Sequence, residues 1–166
     1  MGSLRRFKHT PFLDWMRSIW LFSDCSAEEI RFIDSLCTWT EVPEGRTLVR
    51  QGDCSRQFLV SARGTAVAVI DHRPVALIEA GSFFGDMALF GVRPYRATVT
   101  SATHMELLVF SRLESMQLFE SAIPSVQEKM SAILDERSRV MAELALHPQE
   151  STALDDLRTL PALQRA

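Results

Sequence analysis

Residues 81–99 read GSFFGDMALFGVRPYRATV, and the order of residue types in this stretch decides the fold around it. Two aromatic residues, a glycine, an acid and one turn of helical pattern (DMALF) follow a β-type run; Gly91 and Pro94 then bring the chain back to Arg96 at the head of the next. Gly85 lets the backbone approach a ligand more closely than a Cβ would allow. A short helix starting near Asp86 would turn free N–H groups outward, which suits an anion. Arg96, returned to the same place, can fork its guanidinium onto a phosphate. Asp86 would repel that anion unless it accepts hydrogen bonds from hydroxyl groups, so the combination points to a sugar phosphate.

Outward from this stretch the pattern is that of an antiparallel sandwich or barrel: short runs rich in Val, Ala, Thr and Leu, separated by turn residues at intervals of about ten. The predicted strands are TLVRQ (47–51), RQFLVSA (56–62), TAVAVI (65–70), PVALIEA (74–80), RATVTSA (96–102) and HMELLVFS (104–111). Six of the seven glycines lie between Thr40 and Ser111, most of them between strands, as turn residues should. Helical periodicity flanks it on both sides. In PFLDWMRSIWLF (11–22) the residues Phe12, Trp15, Met16, Ile19 and Trp20 share one face. Ser26 with Glu29 forms a capping box, and Ile30, Ile33, Leu36 and Cys37 form the buried side of a second helix.

After the strands, Ser111 with Glu114 forms another capping box, with Leu113, Met116 and Phe119 on one face, and Pro124 opens a last helix. That helix carries Val126, Met130, Ile133, Val140 and Leu144 on a seam of roughly 3.5-residue period, interrupted by Arg137. The seam would pack on the barrel, on a second copy of the chain or on another protein's helix. The expected class is α+β, mainly β: an antiparallel β-barrel or jelly roll flanked by an N-terminal helical pair and C-terminal helices. The expected organisation is an N-terminal extension (1–11), one domain (12–146) and a weakly ordered tail (147–166).

Composition bounds the function. With 166 residues, 46% of them hydrophobic and 23% charged, the chain is long enough for one well-buried core. A net charge of −3 supplies no basic excess to hold nucleic acid. No apolar run approaches the ~20 residues of a membrane span, and the start MGSLRRFKHTPF lacks the apolar segment of a signal peptide. Cys25, Cys37 and Cys54 have no metal-ligand spacing and suit a reducing compartment, as small buried hydrophobes. A cytoplasmic protein is expected. His9, His72, His104 and His147 are scattered singly, which disfavours a metal-dependent jelly roll and leaves no metal site to name. No nucleophile motif, P-loop or close carboxylate pair marks an enzyme.

The stretch FGDMALFGVRPYRAT (84–98) resembles the phosphate-binding cassette of the cyclic nucleotide-binding domain, approximately FGE(L/I)AL, a short loop, then PRxA or RSA. WLFSDCSAEEI, EVPEGRTLVRQGD and RGTAVAVI agree with that family, and the resemblance covers about residues 12–146. It implies that Gly85 and the amides of Met87 and Ala88 receive a cyclic phosphate, that Arg96 pairs with it, and that Asp86 stands where the family's Glu holds the ribose 2′-hydroxyl. Asp86 is one methylene shorter, which withdraws its carboxylate by about 1.5 Å. Ala97 stands where Thr accompanies a preference for cGMP, so cAMP is the expected ligand and cGMP the lesser one; no cofactor is implied. Bacterial cAMP receptors place hydroxyl residues of the closing helix against the adenine. The matching positions here are Met141 and Ala142, with Arg137 or Ser138 one turn earlier able to stack or bond there.

Two functions follow as expectations. One is a cAMP-binding regulatory module that signals by moving the helix after Pro124, to a partner protein or to a second copy held as a homodimer through 124–146. The other is a degenerate, ligand-free domain of the same fold acting as a protein-interaction adaptor.

Overall fold

The computed structural model describes residues 10–54, 56–86, 94–120 and 123–146. Two helices come first: α1 (Thr10–Ser18), a 3-10 turn (Trp20–Phe22) and α2 (Ala27–Leu36). Eight strands follow: β1 (Thr38–Val42), β2 (Thr47–Val49), β3 (Gln57–Arg63), β4 (Ala66–Ile70), β5 (Arg73–Ile78), β6 (Phe83–Phe84), β7 (Thr98–Ser101) and β8 (Met105–Ser111). The chain closes with α3 (Arg112–Glu120) and α4 (Pro124–Leu146). The strands form two four-stranded sheets, ordered β1-β8-β3-β6 and β2-β7-β4-β5, with every pairing antiparallel. This is the mainly-β jelly roll with flanking helices that the strand spacing predicts.

The first sheet is covered on both faces, which accounts for the unbroken apolar runs FLV and LLVF in β3 and β8. Because side chains alternate along a strand, Leu59, Phe84, Met105 and Leu107 face the second sheet and join Val49, Ala66, Ala68, Ile78 and Val99 in the sandwich interior. Phe58, Val60, Phe83, Leu108 and Phe110 face the helices instead, where they meet Met16, Phe22, Ile30, Leu118, Val126 and Met130. The Phe58 ring sits 5.2 Å from that of Phe83 and 5.8 Å from that of Phe110.

Both capping boxes form. The Ser26 amide donates to Glu29 at 2.6 Å and the Glu29 amide to the Ser26 hydroxyl at 3.2 Å; Ser111 and Glu114 exchange bonds of 2.7 and 3.3 Å. Several expectations are corrected. The helix foreseen over 11–22 breaks at Ile19, which is extended (ψ 116°); the 3-10 turn buries Leu21 and Phe22 together with Ile19, residues that a straight helix would spread around its axis. Strand β1 lies ahead of the first predicted strand, and its mixed TWTEV pattern follows from a half-buried edge position beside β8. On α3 the buried residues are Ser115 and Leu118, whereas Leu113 is 68% exposed. Ser111 ends β8 and caps α3, so the strand's direction and not the helix's weak periodicity sets its rotation. Cys25 is buried, and burial pushes the Cys37 thiol up to about 12, yet Cys54 is exposed. The tail 147–166 and most of the extension 1–11 lie outside the described residues.

Candidate functional site

Both ends of the 81–99 stretch are fixed at one point, the start of β3. Its leading arm is β6, where Phe84 pairs with Leu59 and Phe83 with Val60. Gly85 follows with φ +79°, and a Cβ built there would stand 2.3 Å from the Gln57 carbonyl oxygen. One close approach that requires glycine is therefore to β3. The returning arm is held by Tyr95. The amides of Arg56 and Gln57 donate to its hydroxyl at 3.3 Å each, and the hydroxyl donates to the Gln57 carbonyl at 3.4 Å. Its backbone is paired as well: the Tyr95 amide donates to Asp53 at 2.8 Å and the Gly52 amide to the Tyr95 carbonyl at 2.9 Å.

Asp86 is the last described residue of the leading arm. Its partner comes from α4: Arg137 Nη1 donates to Asp86 Oδ1 at 3.2 Å, with the two side chains 33% and 22% exposed. A second guanidinium nitrogen of Arg137 donates to the Phe83 carbonyl oxygen, and the guanidinium carbon lies 4.6 Å from the centre of the Phe83 ring. Burial lowers the pKa of Arg137, while the charge of Asp86 and the bond to it oppose that shift. The register of α4 explains the reach. Val126, Met130 and Ile133 are buried in the helix-side core, and Arg137 continues the same stripe one turn on, so its side chain leaves the helix toward β6.

The structure thus brings together Gly85, Asp86 and Arg137. Among the described residues no hydrogen bond or ion pair joins Arg96 to Asp86. Tyr95 and Ala97, on either side, pack against the sandwich interior, and Arg96 between them is exposed. Ser138 is exposed on α4. Met87, Ala88 and the Met141 side chain lie outside the described residues. Sequence reasoning missed Tyr95, although it is the chain's single tyrosine, and missed Lys129. The Lys129 ammonium pairs with Asp24 at 2.6 Å, donates to the Trp20 carbonyl at 2.9 Å and the Ser23 hydroxyl at 2.7 Å, and lies 5.2 Å from the centre of the Trp20 ring. No sequence signal joins Lys129 to a turn more than a hundred residues away. Among the described residues no group of three His, Cys, Asp or Glu could hold a metal, and no helix is long and apolar enough to cross a membrane.

Residues 39–122, half of the chain, match the profile of the cyclic nucleotide-binding domain family. A cyclic nucleotide-gated potassium channel of Rhizobium etli is 40% identical over 98 residues, 58% of this chain and 26% of the channel. A cAMP-dependent protein kinase regulatory subunit of Eremothecium gossypii is 35% identical over 72 residues, 43% of this chain and 16% of that one. The chain therefore spans about a quarter or less of these curated relatives. Among solved structures, the catabolite activator protein of Thermus thermophilus superposes with a TM-score of 0.65 at 27% identity, over 76% of this chain and 61% of that one. The regulatory domain of Toxoplasma gondii PKA, solved with cAMP, superposes with a TM-score of 0.64 over 76% of this chain and 49% of that one; at 23% identity the likeness is one of fold.

Proposed function

The chain belongs to the cyclic nucleotide-binding domain family, and on that premise we propose that it binds cAMP in preference to cGMP and regulates a partner protein from a cytoplasmic setting. The observation that carries this reading is the ion pair at Asp86. It sets a carboxylate directly after the positive-φ glycine of the cassette and ties it to the helix expected to move. In the proposed complex Gly85 and the amides of Met87 and Ala88 receive the cyclic phosphate. Arg96 swings in from its exposed position to pair with the phosphate, and Asp86 accepts the ribose hydroxyl. Ala97, half-buried and without a hydroxyl, favours cAMP. Arg137, Ser138 and Met141 are the proposed contacts of the base.

The output surface is the outer side of α4, residues 124–146, offered to another protein or to a second copy of the chain. Val126, Met130 and Ile133 are engaged in the chain's own core, so a homodimer would rest on the part of the seam beyond Arg137. The ligand-free adaptor is the second reading, favoured by an Arg96 that is exposed.

Thermal unfolding with cAMP, cGMP and AMP separates the two. A ligand at 100 times its dissociation constant adds about 2.7 kcal/mol to stability, and the proposed order is cAMP, then cGMP, then AMP. No shift with any of them at millimolar concentration leaves the adaptor.

A further inference from the structure

Both arms of the 81–99 stretch meet at one atom, the Gln57 carbonyl oxygen. Gly85 lies so close to it that a Cβ would stand 2.3 Å away, and the Tyr95 hydroxyl donates to it at 3.4 Å. The phenol end of Tyr95 therefore fills the space beside Gly85, where the proposed phosphate and an incoming Arg96 guanidinium would meet. The same hydroxyl accepts from the amides of Arg56 and Gln57 at 3.3 Å each. All three bonds are longer than the usual range for their type, whereas the Tyr95 amide and carbonyl are paired at 2.8 and 2.9 Å. The side chain is thus the weakly held part of an arm whose backbone is well held.

Such an arm can exchange one side chain for another without moving its backbone. Arg96 is exposed, and a guanidinium on a phosphate makes charge-assisted bonds about twice as strong as neutral ones. It can outcompete a hydroxyl held by three long neutral bonds. The amides that the phenol would release belong to exposed residues, Arg56 and Gln57, so water can take its place. We infer that Tyr95 sets the ligand affinity of the site: its clasp on Arg56 and Gln57 holds the phosphate position shut, and the ring leaves when Arg96 enters. This rests on the proposed cyclic nucleotide reading of the site. Clasp and ligand exclude each other, and a binding-competent state that is only fractionally populated lowers the apparent affinity by that fraction. Weakening the clasp therefore strengthens binding.

The full chain and its Tyr95→Phe variant are titrated calorimetrically with cAMP, and amide hydrogen exchange is read residue by residue by NMR with and without saturating cAMP. Phenylalanine keeps the ring and loses the hydroxyl, so Tyr95→Phe should bind cAMP about fivefold more tightly, the equivalent of one net hydrogen bond of about 1 kcal/mol. In the wild type, cAMP should speed exchange of the Arg56 and Gln57 amides about fivefold or more, while the backbone-paired amides of Gly52 and Tyr95 stay unchanged. Equal or weaker cAMP binding by Tyr95→Phe overturns the clasp, a weaker one because it assigns the hydroxyl to the ligand. Exchange at Arg56 and Gln57 that stays constant or slows overturns it too, as does faster exchange at Gly52 and Tyr95, which would mean that the whole arm moves. If Tyr95→Phe fails to fold, the wild-type exchange decides alone. Binding of cAMP to neither protein removes the cyclic nucleotide reading itself, and the clasp with it.

Discussion

Two residues of the 81–99 stretch carry opposite burdens. Gly85 is required by the fold before any ligand arrives, because its φ of +79° lies in the left-handed region and a Cβ would meet the Gln57 carbonyl at 2.3 Å. Gly85→Ala should therefore destabilise the protein by about 3 kcal/mol or more in urea titration, through backbone strain and a clash that no rotamer relieves. Arg96 is exposed and has no ion pair or hydrogen bond among the described residues. Arg96→Ala should leave the unliganded midpoint within the roughly 0.5 kcal/mol typical of surface substitutions, while abolishing the thermal shift caused by cAMP. An intact shift would mean that a different cation meets the phosphate. The positions of Gly85 and Asp86 at the end of β6 follow from their place in the 81–99 stretch. The partner of Asp86 does not, because nothing in the local pattern says which face of a helix fifty residues later will point back at it.

At the scale of elements, the β4–β5 hairpin departs from turn chemistry. Ile70 pairs with Arg73, leaving Asp71 and His72 as a two-residue loop with φ of 48° and 67°, the primed geometry that fits the twist of the flanking strands and prefers Asn or Gly. Asp71 is also clasped by Gln51, with a bond of 3.0 Å in each direction, whereas no described side-chain bond holds exposed His72 in place. His72→Gly should stabilise by about 0.5–1 kcal/mol, read as a rise of about 2 °C in Tm. Helix α4 tests the other direction. Lys129→Met keeps the aliphatic stem but removes the cation from Asp24 and one of the donors to the Trp20 carbonyl, which keeps the Ser23 amide and hydroxyl. The expected loss is about 1–2 kcal/mol in urea denaturation, and an unchanged midpoint would show that water replaces the ammonium at no cost.

For the whole molecule, the helix-side core determines what remains for assembly. A fully buried Val, Met or Ile contributes about 1.5–3 kcal/mol, and α4 has already committed Val126, Met130 and Ile133 to its own body. Val140 and Leu144 from two copies would contribute at most about 6–12 kcal/mol if fully buried, against an association cost of about 4–15 kcal/mol. Light scattering at tens of micromolar should therefore give the monomer mass of 18.8 kDa, and a doubled mass abolished by Val140→Asp would restore self-pairing through 124–146. Local chemistry was enough to reveal the capping boxes at Ser26 and Ser111, six of the eight strands, the helices at either end and the cassette with Asp86. Each of these is written in residues adjacent along the chain, as a period, a cap or a spacing. Tertiary structure decided the break at Ile19, the edge strand β1, the two-residue strand β6, the rotation of α3, the exposure of Arg96 and the pairing of Arg137 with Asp86. Those features depend on what is packed against each segment by residues distant in sequence, and a side chain's environment in a two-sided core is set by the sheets and helices that enclose it, not by its neighbours along the chain.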